Sequence, residues 1–491
     1  MIALLLILVP LLGGLITFFI REEQAARIWS LVFALVALAV AILGLTVFAA
    51  PQYLSFRAEW MPGLGSSFSI RADGMGMMLS LLTTLTFPII FISTWSTPYS
   101  KAWNFFGLML LSEAGLLGVF LAMDALLFYF AWELALIPVY FLCSQWGGER
   151  RIAVTFKFFI YTFLGSLLML VAIIYIYTQT PGRSFDISAF YATALPYKEQ
   201  SWLFWLMFAA FAVKMPVFPF HTWQPDTYEV APTAATMVLS AIMVKMGVLG
   251  MLRWLLPVLP IASYAWGDTV STLAVIGIVY ASLIAFRQND LKRLVAYSSI
   301  AHMGLMVVAV LAETQQSVQG TMFQMFVHGI NTLGMWVVVE FIERKYGTRK
   351  ISDLGGVAQK SPALAIAFMV IMLGNIALPL TDAFVGEFLM LSGILVSKIT
   401  AYGVAFTAVA ALGVVLGPVY YFRMTRKVFM GPTNELTARG SDIGSGEKLI
   451  LGVIVVLILF LGIYPHPLLD LVDGVSKVIL KDSDVIHLLK K

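Results

Sequence analysis

FAAFAVKMPVFPFHTW, from Phe208 to Trp223, sets a lysine and two prolines inside an apolar run of membrane length. A charge at the bilayer centre costs about 2.5–3.5 kcal/mol on insertion scales, so such a residue faces a bundle interior or a water-filled path. Lys214 is a functional candidate on that cost alone. Pro216 and Pro219 have no backbone N–H and leave the carbonyls of Ala212 and Met215 without helical donors. A backbone broken at membrane depth persists only where protein or water satisfies those groups again. The next apolar run carries a second lysine, Lys245.

Outward from this stretch the composition fixes the class. Of the 491 residues, 60% are hydrophobic and 12% charged, and the mean hydropathy is +0.90. Soluble domains carry about 25% charged residues, so this is a polytopic membrane protein, all-α in fold class. The net charge of +4 lies mostly in loops of one side and reports orientation, with no nucleic-acid partner. Cys143 is the sole cysteine, which leaves no disulfide framework and no thiolate set for an iron–sulfur cluster or zinc. The first apolar run has no basic n-region and no small-residue cleavage site behind it, and reads as a retained helix.

Fourteen apolar runs are long enough to span the hydrocarbon, at roughly 20 residues each. The run from Pro362 to Ser397 is too long for one straight helix, and Asn375, Pro379 and Asp382 mark its expected break. Of the 31 basic residues, 19 fall in loops after odd-numbered runs, 6 in loops after even-numbered ones and 4 in the C-terminal tail. The odd loops are therefore expected on the cytoplasmic side, with both termini on the other. The two left over are Lys214 and Lys245.

Acidic and imidazole groups sort the same way. Glu113, Glu133 and Glu387 lie inside apolar runs, as do His302 and His328. Any one of them is accounted for by a structural ion pair or a core hydrogen bond. Three carboxylates, two lysines and two histidines on separate helices exceed what packing needs, and chains of this kind relay protons in pumps. A lysine whose carboxylate partner moves or is neutralised gives up and regains a proton, and histidine titrates near neutrality unaided. No Gly-rich nucleotide loop, HExxH motif or nucleophile–base pair competes. A bis-histidine haem bundle leaves the lysines unexplained, and a purely structural scaffold leaves all seven unexplained.

A repeat is also visible. The seventh run carries Lys214 beside its prolines, and five runs later the twelfth carries Glu387 after Pro379. Five is odd, so a duplicated five-helix unit inverts in the membrane, and inverted repeats with broken helices are a transporter signature.

The residues that carry a family resemblance are FAWELALIPVYFL (Phe130–Leu142), FAVKMPVFPFHTWQPDTYEVAPT (Phe211–Thr233), MVKMGVLGMLRW (Met243–Trp254), RQNDLKRLVAYSSIAHMG (Arg287–Gly304), MFQMFVHGINTLG (Met322–Gly334) and FVGEFLMLSG (Phe384–Gly393). Over roughly residues 75–425 the chain resembles the M-type antiporter-like subunits of respiratory complex I, the proton-pumping NADH:quinone oxidoreductase. The wider superfamily includes the L and N subunits of that complex and the large subunits of multisubunit Na⁺/H⁺ antiporters, which supply the alternative function.

The resemblance implies two inverted five-helix repeats with helices seven and twelve broken. It divides the chain into residues 1–100 (helices one to three), 103–256 (helices four to eight), 269–424 (helices nine to thirteen) and 448–491 (helix fourteen and the tail). It implies that Glu133 pairs with Lys214, that Lys245 is the central relay lysine, that His302 and His328 line a hydrated axis, and that Glu387 is the exit residue. Glutamate at 387 is what separates the M type from the L and N types, which carry lysine. The implied partners are the lipid bilayer and other membrane-arm subunits, L and N among them. NADH, FMN, iron–sulfur clusters and quinone are implied for the parent complex and no cofactor or metal for this chain, in an energy-transducing membrane such as the bacterial inner membrane.

Two stretches depart from the family. Its usual GLPGT break in helix twelve reads Ala377, Leu378, Pro379, Leu380, Thr381 here, followed by an additional acid, Asp382, expected to cap the second half-helix, with a place on the exit path as the alternative. The loop expected after the helix-seven break reads QPDTYE (Gln224–Glu229), with Tyr228 where the family often has histidine.

Overall fold

A computed structural model describes residues 1–483. Eleven helices within them are long and apolar enough to cross a membrane unaided: Glu23–Thr46, Gly74–Ser93, Ala102–Leu121, Ala125–Trp146, Arg151–Gln179, Thr233–Leu255, Pro260–Arg287, Leu291–Leu311, Gln315–Tyr346, Gly403–Phe429 and Ser445–Ile463. Helix one (Ile2–Thr17) and two broken helices complete the fourteen. Helix seven runs Tyr197–Lys214 and resumes at Gln224–Val230, so QPDTYE is its second half and not a loop. Helix twelve runs Pro362–Asn375 and resumes at Asp382–Leu395.

The two breaks are built alike. In helix seven, Pro216 removes the donor due to the Ala212 carbonyl, and the Val217 N–H takes that carbonyl at 2.9 Å in a wider turn. The next carbonyl, Val213, accepts from the Trp223 indole at 2.9 Å. In helix twelve the Leu378 N–H closes on the Leu373 carbonyl at 3.1 Å, the same five-residue step. The first halves therefore end at Lys214 and Asn375, which puts Asn375 and not Glu387 in the place equivalent to Lys214. Pairings repeat as well: helix four packs on five as nine packs on ten, and six on seven as eleven on twelve. Five helices separate the copies, so the second is inverted. The helix four–five contact is close enough that a Cβ on Gly115 would lie 2.4 Å from the Ala135 nitrogen.

The helix-twelve break keeps its left-handed turns without glycine, with φ of +54° at Ala377 and +76° at Leu380. An L residue there costs roughly 1–2 kcal/mol, against about 0.5–1 kcal/mol of extra chain entropy lost by glycine. Ala377→Gly and Leu380→Gly should each raise stability by about 0.5–1 kcal/mol. A rise in the thermal midpoint of the purified complex is the expected readout, and a fall would mean that the side chains are held by contacts worth more than the strain.

A hairpin and an amphipathic helix are the largest elements outside the fourteen among the described residues. Residues Ser55–Met61 and Ser66–Arg71 form an antiparallel hairpin that pairs Ser55 with Arg71 and Phe56 with Ile70. Asp124 pins it, accepting from the Ser66 hydroxyl at 2.9 Å and the Ser67 N–H at 3.0 Å while capping helix five. After helix fourteen, His466–Asp482 is an amphipathic helix that buries Leu468, Val472 and Ile479 against helices three and eleven. Gly74 admits it, since a Cβ there would meet the Leu471 carbonyl at 1.9 Å. The end of the 448–491 segment and the C-terminus lie outside the described residues.

Helix ends and loops on the side that follows the odd-numbered helices carry an ion-pair network. Asp226 and Glu229, on the second half of helix seven, hold Arg293 at 3.0 and 2.8 Å, and Asp226 also holds Lys157 at 2.9 Å. Arg349 joins Asp290 at 2.6 Å to Glu343 at 3.2 Å. The half-helix is thus tied to helices six and ten. A polar cleft of about 570 Å³ opens beside it, lined by Glu229, Lys292, Glu340, Glu343 and Arg349 among others.

Candidate functional site

Lys245 is the centre of the buried polar line. Helix eight widens to i→i+5 bonding just before it, with the Val244 N–H on the Leu239 carbonyl at 3.2 Å. Such widening frees carbonyls and recurs at functional positions. The Lys245 ammonium donates to the Ser240 carbonyl at 3.0 Å and lies 2.8 Å from His328 Nδ1. Lys245 is 0% exposed and His328 3%. The His328 ring meets that of His302 edge to face, with centroids 5.4 Å apart. His302 Nδ1 lies 3.3 Å from Glu387 Oε1. Four of the six expected residues, from helices eight, eleven, ten and twelve, are thereby in sequence of contact. A narrow cleft lined by His302, Asn375, Glu387 and Tyr420 flanks the far end.

The other two stand apart. Lys214 is buried, and its ammonium has no hydrogen-bond partner among the described residues. It faces the Trp132 ring at 5.5 Å. Glu133 is the next residue on helix five, with one carboxylate oxygen buried and unpartnered. No ion pair within 4 Å joins them, so the pairing implied by resemblance is not made in this structure. The indole accounts for it: a ring face attracts an ammonium, and Trp132 occupies the position next to Lys214. Glu113, 0% exposed with both oxygens unpartnered, touches none of this line by hydrogen bond or ion pair among the described residues.

Sequence reasoning missed a second set of polar residues. Tyr420 and Tyr421 donate to the Ser298 hydroxyl at 3.0 and 3.1 Å. Asn375 donates to the Asn331 carbonyl at 3.2 Å, and Asn331 donates to Asp382 at 2.8 Å. His221, inside the helix-seven break, is 3% exposed with Nδ1 unpartnered. Gln224, Tyr228 and Ser240 are also buried, with side-chain atoms that have no partner among the described residues. Asn331 sits three residues after His328, a helical step that puts both on one face and was readable from the sequence.

Comparison with known proteins decides what this arrangement belongs to. The family described as NADH:quinone oxidoreductase/Mrp antiporter, TM, matches residues 122–413, more than half of the chain. NADH-quinone oxidoreductase subunit M of Rickettsia typhi is 36% identical over 94% of this chain and 95% of the relative. The chain belongs to this family. It is an M-type antiporter-like subunit of the membrane arm of a respiratory NADH:quinone oxidoreductase, an enzyme complex. F(420)H(2) dehydrogenase subunit M of Methanosarcina mazei is 35% identical over 98% of both chains. A chain of respiratory complex I from Thermus thermophilus with bound NADH superposes with a TM-score of 0.88 at 26% identity, covering 98% of this chain and 100% of that one. The antiporter-like subunit thus matches its relatives over nearly their whole length. Among the described residues no group of three or more His, Cys, Asp or Glu side chains is placed to hold a metal ion.

Proposed function

We propose that this subunit carries protons along Lys214, Lys245, His328, His302 and Glu387, driven by quinone reduction in other subunits. The contact series from Lys245 to Glu387 is the observation that carries the reading, because it links four helices by titratable groups with no apolar gap between them. Protons enter from the cytoplasmic face, through the polar cleft beside Glu229 and Glu340, and reach the two lysines. A neighbouring antiporter-like subunit, L or N, displaces or compensates the Glu133 charge, and the Lys214 proton moves on toward Lys245 and the histidines. It leaves at Glu387 to the side that holds both termini. Moving each proton against 100 mV takes about 2.3 kcal/mol. NADH, FMN, iron–sulfur clusters and quinone act elsewhere in the complex, in a membrane such as the bacterial inner membrane. In this reading the chain divides as 1–100, 103–256, 269–424 and 448–491, with the two middle units as the repeats.

Purification in mild detergent with mass spectrometry of the companions tests the assembly. Flavin and iron–sulfur subunits with NADH:quinone activity are expected; small hydrophobic companions alone would point to a Na⁺/H⁺ antiporter. Activity with F420H2 and none with NADH would assign a different electron donor. Glu387→Lys is expected to lower the proton-to-electron ratio while leaving NADH oxidation in place, because a cation replaces the carboxylate that lies 3.3 Å from His302 and so opposes its protonation. An unchanged ratio would show that the exit accepts either sign of charge.

A further inference from the structure

Helix eleven turns Gln324, His328 and Asn331 to one side, at steps of four and three residues. The second half of helix twelve packs there, so tightly that a Cβ on Gly386 would lie 2.2 Å from Gln324 Oε1. On that half-helix Asp382 is 0% exposed and forms no ion pair among the described residues. Its Oδ1 accepts from Asn331 Nδ2 and from the Ala383 N–H, both at 2.8 Å. Its Oδ2 has no partner, and neither do Asn331 Oδ1, Gln324 Oε1 and Glu387 Oε2. All four are acceptors. A lone carboxylate away from water is among the costliest groups to bury, and four acceptors without partners among the described residues call for a donor.

We propose that Asp382 is an additional proton-binding site of the relay, held by Asn331, which stands one helical step from His328. The proposal rests on the relay reading above. Its chemistry is acid–base exchange: the N–H bond of a histidinium at 328 or 302 breaks, an O–H bond forms at Asp382 Oδ2, and the imidazole is left neutral. The narrow cleft lined by His302, Asn375 and Glu387 gives water a place beside the His302 donor. Asn375, hydrogen-bonded to the Asn331 backbone, connects that cleft to the Asn331–Asp382 pair. Helix capping is the competing role, and the geometry separates the two. Thr381 stands at the cap position without a side-chain cap bond, while Asp382 is the first helical residue. A cap needs only an acceptor, whereas a proton site needs a carboxyl.

Asp382→Asn keeps the size of the side chain and an acceptor for the Ala383 N–H but cannot hold a proton. In the purified complex in proteoliposomes, this variant should oxidise NADH at the unaltered rate with a lower proton-to-electron ratio. It should also lose a carboxyl C=O band from the redox-induced infrared difference spectrum. An unaltered ratio and spectrum would overturn the proposal and leave Asp382 as a helix-terminal acceptor. If the Asn variant does not assemble, Asp382→Glu decides: pumping with a shifted carboxyl band supports the site, and an unshifted band overturns it. Loss of pumping only when Na⁺ is present would assign the acceptors to a metal cation and overturn the proton reading. Lys214→Ala, measured alongside, separates the two ideas. If that variant pumps normally the relay reading fails; if it does not pump while Asp382→Asn does, only the Asp382 site fails.

Discussion

Lys214→Ala should abolish proton translocation by the assembled complex while leaving NADH oxidation and the yield of the complex largely intact. The side chain is 2% exposed, and its ammonium has no hydrogen-bond partner, so its removal strands no acceptor. Shortening it leaves a cavity at a cost of a few kcal/mol at most. Against this, a charge that costs about 2.5–3.5 kcal/mol to place at membrane depth is no longer there. The two effects offset, and folding survives. In the proposed relay, what is lost is the group that hands a proton on to Lys245. Lys214→Arg sharpens the result, because a guanidinium keeps the positive charge but does not deprotonate. If Lys214 is a carrier, the Arg variant also fails to pump; if it is only a fixed counter-charge, Arg restores pumping. Proton uptake and NADH oxidation, measured together in inverted vesicles, separate these outcomes. Full coupled pumping by Lys214→Ala would sink the relay.

Much of this arrangement was legible because the bilayer makes polar residues expensive. Lys214, Lys245, His302, His328 and Glu387 stand out against apolar runs, and the structure brings four of them into contact. Pro216 and Pro379 located both breaks. Three-dimensional competition was not legible. Trp132 precedes Glu133 on helix five, and only the structure shows that its ring, rather than the carboxylate, faces the Lys214 ammonium. The resemblance supplied a pair that this geometry does not form.

The departures at the helix-twelve break came out as strain rather than as a changed path. Two left-handed residues persist there because the flanking halves are fixed by packing. The hairpin over Ser55–Arg71 shows strand alternation in hindsight, yet lies between apolar runs that draw all the attention. The His466–Asp482 helix was not legible, because its charges interrupt the apolar pattern although one face is apolar.

Counting basic residues by loop places Arg253 in a loop, whereas it sits in helix eight at 3% exposed. It clamps three helices. Its guanidinium donates to both oxygens of Asp73 at 2.6 and 2.7 Å and to the Phe120 carbonyl, at the end of helix four, at 2.6 Å. Asp73 in turn caps helix three through the Gly76 N–H at 2.7 Å. Arg253→Met should therefore destabilise the subunit more than any of the substitutions above, by about 3–5 kcal/mol, because it leaves a largely buried carboxylate and a helix-end carbonyl unpaired. Stability of a folded domain is only about 5–15 kcal/mol, so the variant subunit should fail to accumulate in the membrane. Adding Asp73→Asn should recover much of the loss, since asparagine still caps helix three and no lone charge remains. The coupling is read from a double-mutant cycle on subunit yield and on the thermal midpoint of the purified complex. Equal loss in the single and double variants would mean that the Phe120 carbonyl, and not the ion pair, is what Arg253 serves.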